Sequence, residues 1–396
     1  MTKIYLFAYL LFALTINYAF ANVKSLTVVL ETSANDTFPY SVNLVGSFNQ
    51  WTMDESSKMN WSDSAKNYQF SIPKSSSPIL FNVYKGGDWQ NPLATQFGKP
   101  FTCGYFTDAE HTNKVKLDFH GWAKDKTITA PDTTVGNLIT LTDFPMNSLH
   151  RQGDIYIYLP KNYLKQHNKH YPVVYMLDGQ NLFSEALSYS YEWQVDETLA
   201  LTQLEVIVVG IANGSERWKE YNPWNSVNYM GKNIQGLGKK TIQFIQEELK
   251  PYIDANYRTL KGAEDTALLG SSLGGLMALY AVIEHNKTFG KVAAFSPSFS
   301  FTTVDAQASL DPEKSNLISA VKRVKSNNEK NKIYFDVGEV EYGSFVLLDA
   351  LYESFISAGY APSQLKMVKD KMGRHCELDW SKRFPVALNW LFNDKE

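Results

Sequence analysis

The sequence predicts an α/β fold, a mostly parallel sheet flanked by helices, preceded by a small β-sandwich. Three observations carry this. From about residue 137 onward, short β-branched or apolar runs alternate with stretches of helical periodicity. Those runs lack polar–apolar alternation, as strands buried on both faces do. Residues 22–122, by contrast, alternate in short runs separated by turn residues. At 396 residues the chain has room for two domains. Its 44% hydrophobic and 20% charged residues are an ordinary globular composition. A net charge of −3 without a basic block gives no expectation of a nucleic-acid partner.

The first element is a leader. Lys3 supplies a positive start, Ile4 to Leu14 is an unbroken apolar run, and Ala19-Phe20-Ala21 puts small residues where a signal peptidase reads them. The run is short for a bilayer span. Residues 1–21 are therefore expected to be a cleaved signal peptide, and the mature protein to be secreted or periplasmic with no membrane span. The two cysteines, Cys103 and Cys376, are too few for a disulfide framework or a Cys-rich zinc site. They fall in different zones of the sequence and are expected as free thiols.

The sandwich is predicted over residues 22–122. Leu26–Leu30, Ser41–Val45, Tyr68–Ile72 and Ile79–Tyr84 read as strands, with Asn35-Asp36, Pro73–Ser77 and Gly86-Gly87-Asp88 as turns. Residues 123–136, with Lys124-Asp125-Lys126, Pro131 and Asp132-Thr133-Thr134, read as a linker. In residues 137–396, strands are expected at Ile155–Leu159, Val173–Leu177, Val206–Ile211, Thr266–Leu269, Val292–Phe295 and Ile333–Val337. Helices are expected at Thr241–Tyr257, Gly274–Glu284 and Tyr342–Ile356, with a last one from about Lys382 to Phe392.

The strongest local motif is Gly270-x-Ser272-x-Gly274, between an apolar strand and an apolar helix. That is the setting of a nucleophile elbow, and it refines the prediction to the α/β-hydrolase fold. The turn is so sharp that side chains at 270 and 274 are expected to collide, hence glycine at both. Ser272 is the candidate nucleophile, and the backbone N–H of Leu273 points to a developing oxyanion. In this fold the chain order is Ser, acid, His. Two histidines follow Ser272. His285 lies about 13 residues along the following helix, ~20 Å away at ~1.5 Å per residue. His375 lies in the loop after the last strand-like run and is the expected base. For the acid, Asp336, Glu339 and Glu341 all follow or end the strand Ile333–Val337; Glu341 is preferred and Asp336 is second. No metal-ligand spacing is present, so neither a metal nor another cofactor is expected.

Residues 137–393 resemble the esterase family that includes enterobactin-type siderophore esterases, feruloyl esterases and S-formylglutathione hydrolase. The resemblance rests on Tyr156–Pro160, Tyr171–Phe183 with Leu177-Asp178-Gly179-Gln180, Val209–Gly214 with Arg217 and Glu220–Pro223, Leu249–Thr259, Gly270–Gly275 and Phe295–Ser298. It implies Ser272, His375 and Glu341 as the triad and a second oxyanion donor in the backbone N–H of Gln180. Members often carry Asn after the histidine, where this chain has Cys376. Arg217 and Glu220-Tyr221 are candidates to line the substrate entrance or to tie the loop down as a surface ion pair. In the first zone, Val45–Trp51 and Tyr84–Trp89 resemble glycogen- and starch-binding modules and the Ig-like domains of siderophore esterases. There Trp51 and Trp89 would stack on sugar rings and Lys85 would bond hydroxyls, which implies polysaccharide binding.

These readings converge on an exported serine carboxylic-ester hydrolase acting on a small-molecule or glycan-linked ester, a siderophore ester among the candidates. The alternatives are a carbohydrate-binding protein with a secondary or inactive hydrolase domain, and an acyltransferase using the same triad.

Overall fold

The computed structural model describes residues 25–32, 37–125, 128–227, 232–305, 310–324, 330–341 and 344–393. The leader at 1–21 lies outside them. The chain divides into two units, Met1–Thr129 and Ala130–Glu396.

The first unit is all β. Its strands are β1 (Ser25–Glu31), β2 (Val42–Gly46), β3 (Asn60–Ser62), β4 (Asn67–Pro73), β5 (Ile79–Lys85), β6 (Tyr105–Thr107) and β7 (Lys114–Asp118). They form two sheets, ordered β3-β4-β1-β7 and β2-β5-β6. Alternation does the sorting: Leu26, Val28 and Leu30 of β1 enter a core with Leu44, Ile72, Phe81, Val83 and Trp122. Strands β3, β6 and β7 are additional to the sequence reading. Each is short, and β7 (Lys-Val-Lys-Leu-Asp) offers only two apolar residues.

The second unit is built on an eight-stranded sheet. Its strands are β8 (Asn137–Met146), β9 (Arg151–Leu159), β10 (Val173–Leu177) and β11 (Ile207–Ile211); then, after a separate short antiparallel pair β12 (Ser226–Val227) and β13 (Asn233–Ile234), β14 (Thr266–Ser271), β15 (Lys291–Phe295), β16 (Lys332–Gly338) and β17 (Leu365–Asp370). The order is β17-β16-β15-β14-β10-β11-β9-β8. All pairs from β11 to β17 are parallel, and β9 and β8 join antiparallel at one edge. Strands β10, β11 and β14 are buried at every position, the signature of strands covered on both faces.

The helices are α1 (Val195–Thr202), α2 (Arg217–Glu220), α3 (Gly238–Gln243), α4 (Lys250–Asn256), α5 (Leu273–Glu284), α6 (Asn316–Arg323), α7 (Ser344–Ser357) and α8 (Glu377–Phe392). Among the described residues no helix is long and apolar enough to cross a membrane. Helix α5 is buried from Leu273 to Ile283; a helix apolar on all sides belongs in a core. Where periodicity predicts one regular helix at 241–257, the backbone widens to a π-helix at Phe244–Leu249. Pro251 explains it: its ring crowds the carbonyl four residues earlier and it donates no hydrogen bond. The last helix starts at Glu377 rather than near Lys382 and runs through Pro385. Trp380, Phe384, Leu388 and Leu391 form its buried stripe, and that burial outweighs the proline. The expectation of free thiols is corrected: neither cysteine is free, and both are disulfide-bonded. Separation along the sequence was no argument against oxidation.

Candidate active site

The sheet's central strand, β14, delivers Ser272 at a turn with φ 58° and ψ −122°, a left-sided backbone for a residue with a side chain. Its N–H donates to the Phe295 carbonyl at 2.9 Å. A Cβ at Gly270 would lie 2.7 Å from the carbonyl carbon of Gly274, and one at Gly275 would lie 3.1 Å from the Phe295 oxygen. At Gly274 the nearest atom would be 3.4 Å away, an ordinary contact. The steric demand thus falls on Gly270 and Gly275 rather than on both Gly270 and Gly274.

Around Ser272 a relay of hydrogen bonds closes. His375 Nε2 is 2.9 Å from Ser272 Oγ, and His375 Nδ1 is 2.7 Å from Glu341 Oε2. Burial pushes the Glu341 carboxyl up, but the His375 charge and the bonds from His375, Ser296 and Gly338 outweigh it and hold it below its ordinary value. An ionised Glu341 accepts from Nδ1–H, so Nε2 accepts from the Ser272 hydroxyl. Ser298 Oγ, 3.0 Å from Ser272 Oγ, must then be the donor of that pair.

The other two acids are elsewhere. Asp336 is fully buried and occupied: Arg383 lies 3.0 Å away, the Tyr334 hydroxyl donates at 2.9 Å, and the Ser296 N–H donates at 3.1 Å. Burial, only partly offset by Arg383, pushes Asp336 up to about 6. Glu339 is exposed. His285 caps the far end of α5, where burial lowers its pKa and its ring packs on Tyr280.

Leu273 is the first residue of α5, so its N–H belongs to the helix's unshared donors. Gln180 sits in the single turn Gly179–Asn181. That turn is braced from beneath. Asp178, with φ 59°, takes a bidentate pair from Arg217 at 2.6 and 2.7 Å and a bond from Asn213 Nδ2 at 2.7 Å. Its own N–H donates to the Tyr221 hydroxyl at 3.1 Å, and Gln180 Oε1 accepts from Asn213 N–H at 3.2 Å. A Cβ at Gly179 would be 2.5 Å from the Ile211 nitrogen. Arg217 and Tyr221, expected to line the substrate entrance or to tie the loop down, are both bonded to Asp178, and Tyr221 is only 1% exposed. Each had to be near the loop to hold it, and the sequence motif could not separate holding from lining.

Residues outside the sequence reading complete the cluster. Ser296, with φ 45°, donates to Glu341 Oε1 at 2.5 Å and accepts from Trp380 Nε1 at 2.9 Å and Arg383 Nη2 at 3.0 Å. The Trp380 ring stands edge-on to His375, centroids 5.1 Å apart. The Phe295–Ser298 stretch was the available signal for both serines. In the first unit, Trp51 and Trp89 are 37% and 49% exposed, while Lys85 is ion-paired to Asp125 and lies 4.5 Å over the Tyr40 ring.

The fold and this cluster define a class, the α/β-hydrolases. The family model described as "Putative esterase" matches residues 146–390, so the chain belongs to that esterase family and is a carboxylic ester hydrolase. Among curated relatives, the uncharacterized protein YbbA of Bacillus subtilis is 22% identical over 249 residues, 62% of this chain and 95% of that protein. The ferri-bacillibactin esterase BesA of the same organism is 23% identical over 209 residues, 50% of this chain and 69% of its own. Among solved structures, the enterochelin esterase of Shigella flexneri aligns with TM-score 0.60 at 14% identity, covering 89% of this chain and 88% of its own. The ferric enterobactin esterase of Salmonella typhimurium aligns with TM-score 0.58 at 14% identity, over 95% and 98%. At such identities the structural likeness establishes the fold.

Proposed function

We propose that the chain is an exported serine esterase that cleaves its substrate through an acyl-enzyme. The observation that carries this is the unbroken relay Ser272–His375–Glu341 at 2.9 and 2.7 Å. Ser272 Oγ attacks the ester carbonyl while its proton passes to His375 Nε2, and Glu341 stabilises the resulting imidazolium. The N–H groups of Leu273 and Gln180 take the oxyanion. His375 returns the proton to the leaving alkoxide, and water then releases the acid by the same relay. The disulfide-bonded state of both cysteines supports export, since such bonds persist in oxidising compartments. The names of BesA and of the Shigella and Salmonella proteins support including catecholate siderophore esters among the candidate substrates, beside sugar-linked and short-chain esters.

The test is a hydrolysis screen across these three ester groups, with fluorophosphonate labelling. Ser272→Ala is expected to abolish turnover and labelling while the circular dichroism spectrum stays intact. Unchanged turnover in that variant would overturn the reading.

A further inference from the structure

We propose that Glu377 sets the charge preference of this ester site, so that neutral and cationic esters are taken over anionic ones; the proposal rests on the hydrolase reading. Glu377 opens α8 two residues after His375, and the helix start turns it toward the oxyanion turn. Its Oε1 lies 3.5 Å from Nδ2 of Asn181, the residue after Gln180. It is partly accessible. The charged groups facing it are Asp178 and Arg217 across the site and His375 beside it.

The nearby cations are already matched. Arg217 is closed by both oxygens of Asp178, at 2.6 and 2.7 Å. Arg374 is closed by Asp379, which takes its Nε at 2.7 Å and its N–H at 2.9 Å. Asp379, on Glu377's own helix, also takes Lys382 at 2.8 Å and so turns away from the site. Among the described residues no cation lies within ion-pair distance of Glu377. The Asp178–Arg217 pair contributes no net charge, and Glu341 is covered by the His375 ring. The Glu377 carboxylate, beside Asn181 of the Gly179–Asn181 turn, is therefore the charge there without a cationic partner among the described residues.

Burial, reinforced by the Asp178 charge and partly offset by His375 and Arg217, pushes Glu377 up to about 7. Below that pH the group is a neutral hydrogen-bond donor. Above it, the group is an anion that attracts a cationic ester and repels an anionic one. The preference is accordingly expected to sharpen as pH rises.

The test uses the full chain and three matched 4-nitrophenyl esters: butanoate, 4-(trimethylammonio)butanoate and 4-sulfobutanoate. The quantity read is the ratio of kcat/KM between the cationic and the anionic ester. In that ratio any effect common to both esters, a loss of folded protein included, cancels. From about pH 6 to about pH 8.5 the ratio is expected to rise on the order of tenfold. In Glu377→Gln it should be flat and near its low-pH value. A wild-type ratio that does not move with pH, or an E377Q ratio equal to the wild-type one throughout, overturns the proposal. If E377Q does not fold, the wild-type profile alone decides. Turnover of none of the three, with Ser272 unlabelled by fluorophosphonate, overturns the hydrolase reading and this proposal with it.

Discussion

The Ser296 hydroxyl donates to Glu341 at 2.5 Å while accepting from Trp380 and Arg383, at 2.9 and 3.0 Å. A single hydroxyl thus couples the acid of the relay to the Arg383–Asp336 ion pair behind it. Ser296 is fully buried, so no water can replace it without rearrangement. Ser296→Ala leaves two buried donors short of an acceptor and removes one of the bonds that orient Glu341. The expected outcome is a loss of about 1–3 kcal/mol in stability and a fall of about tenfold in kcat with KM little changed. Denaturant melts and steady-state kinetics on one ester check both; an unchanged kcat would mean that Glu341 is held well enough without it.

Two carboxylates compete for the role of acid, and their surroundings separate them. Glu341→Gln keeps the shape but gives His375 Nδ1 a poor partner, so kcat/KM should fall by about three to four orders of magnitude in a stable protein. Asp336→Asn removes one of the two carboxylates that Arg383, 6% exposed, pairs with and leaves it Asp370. That variant should lose about 1–3 kcal/mol of stability while the surviving folded fraction keeps most of its activity. Thermal melts paired with active-site titration distinguish the two; the reverse pattern would make Asp336 the acid.

Arg217 grips Asp178 through two parallel bonds, and Asp178 holds a left-handed backbone just before the Gly179–Asn181 turn, whose Gln180 N–H is the proposed oxyanion donor. Lysine keeps the charge but cannot make the fork. Arg217→Lys is expected to lower kcat about tenfold or more through a misplaced Gln180 N–H, with a smaller change in KM. Rate constants for fluorophosphonate labelling, which needs the same oxyanion donors, should fall in parallel. A drop in KM-dependent binding alone would return Arg217 to the entrance role.

Much of the fold and half of the site were legible before any coordinates. The parallel strands declared themselves as unbroken apolar runs, and Gly270-x-Ser272-x-Gly274 stands between an apolar strand and an apolar helix. His375 followed from chain order. What the sequence hid is whatever depends on how separate strands align. Asp336 and Glu341 lie five residues apart, and only the register that puts Asp336 beside Phe295 shows that one carboxylate is claimed by Arg383 and the other by His375. Ser296 lies in the Phe295–Ser298 stretch, but its three-way bond is made with Glu341, Trp380 and Arg383 from elsewhere in the chain. Glu377 lay outside the last helix expected from about Lys382, which starts at Glu377 itself.

The last prediction concerns a carboxyl outside the relay. Asp196, in α1, is fully buried, accepts the Val135 N–H at 2.7 Å, and leaves its second oxygen without a partner. Burial, with the adjacent Glu197 carboxyl, pushes it up to about 8. An unfolded aspartate titrates near ~3.9. The folded state therefore holds a proton that the unfolded state releases, and the contribution of Asp196 to stability declines as pH rises from about 4 to about 8, then levels off. Asp196→Asn keeps the acceptor for Val135 and removes the titration. The variant should match the wild type near pH 4 and exceed it progressively toward pH 8, by about 1–3 kcal/mol. Melting curves of both proteins across this range read the difference; parallel curves would show that Asp196 stays charged in the folded state.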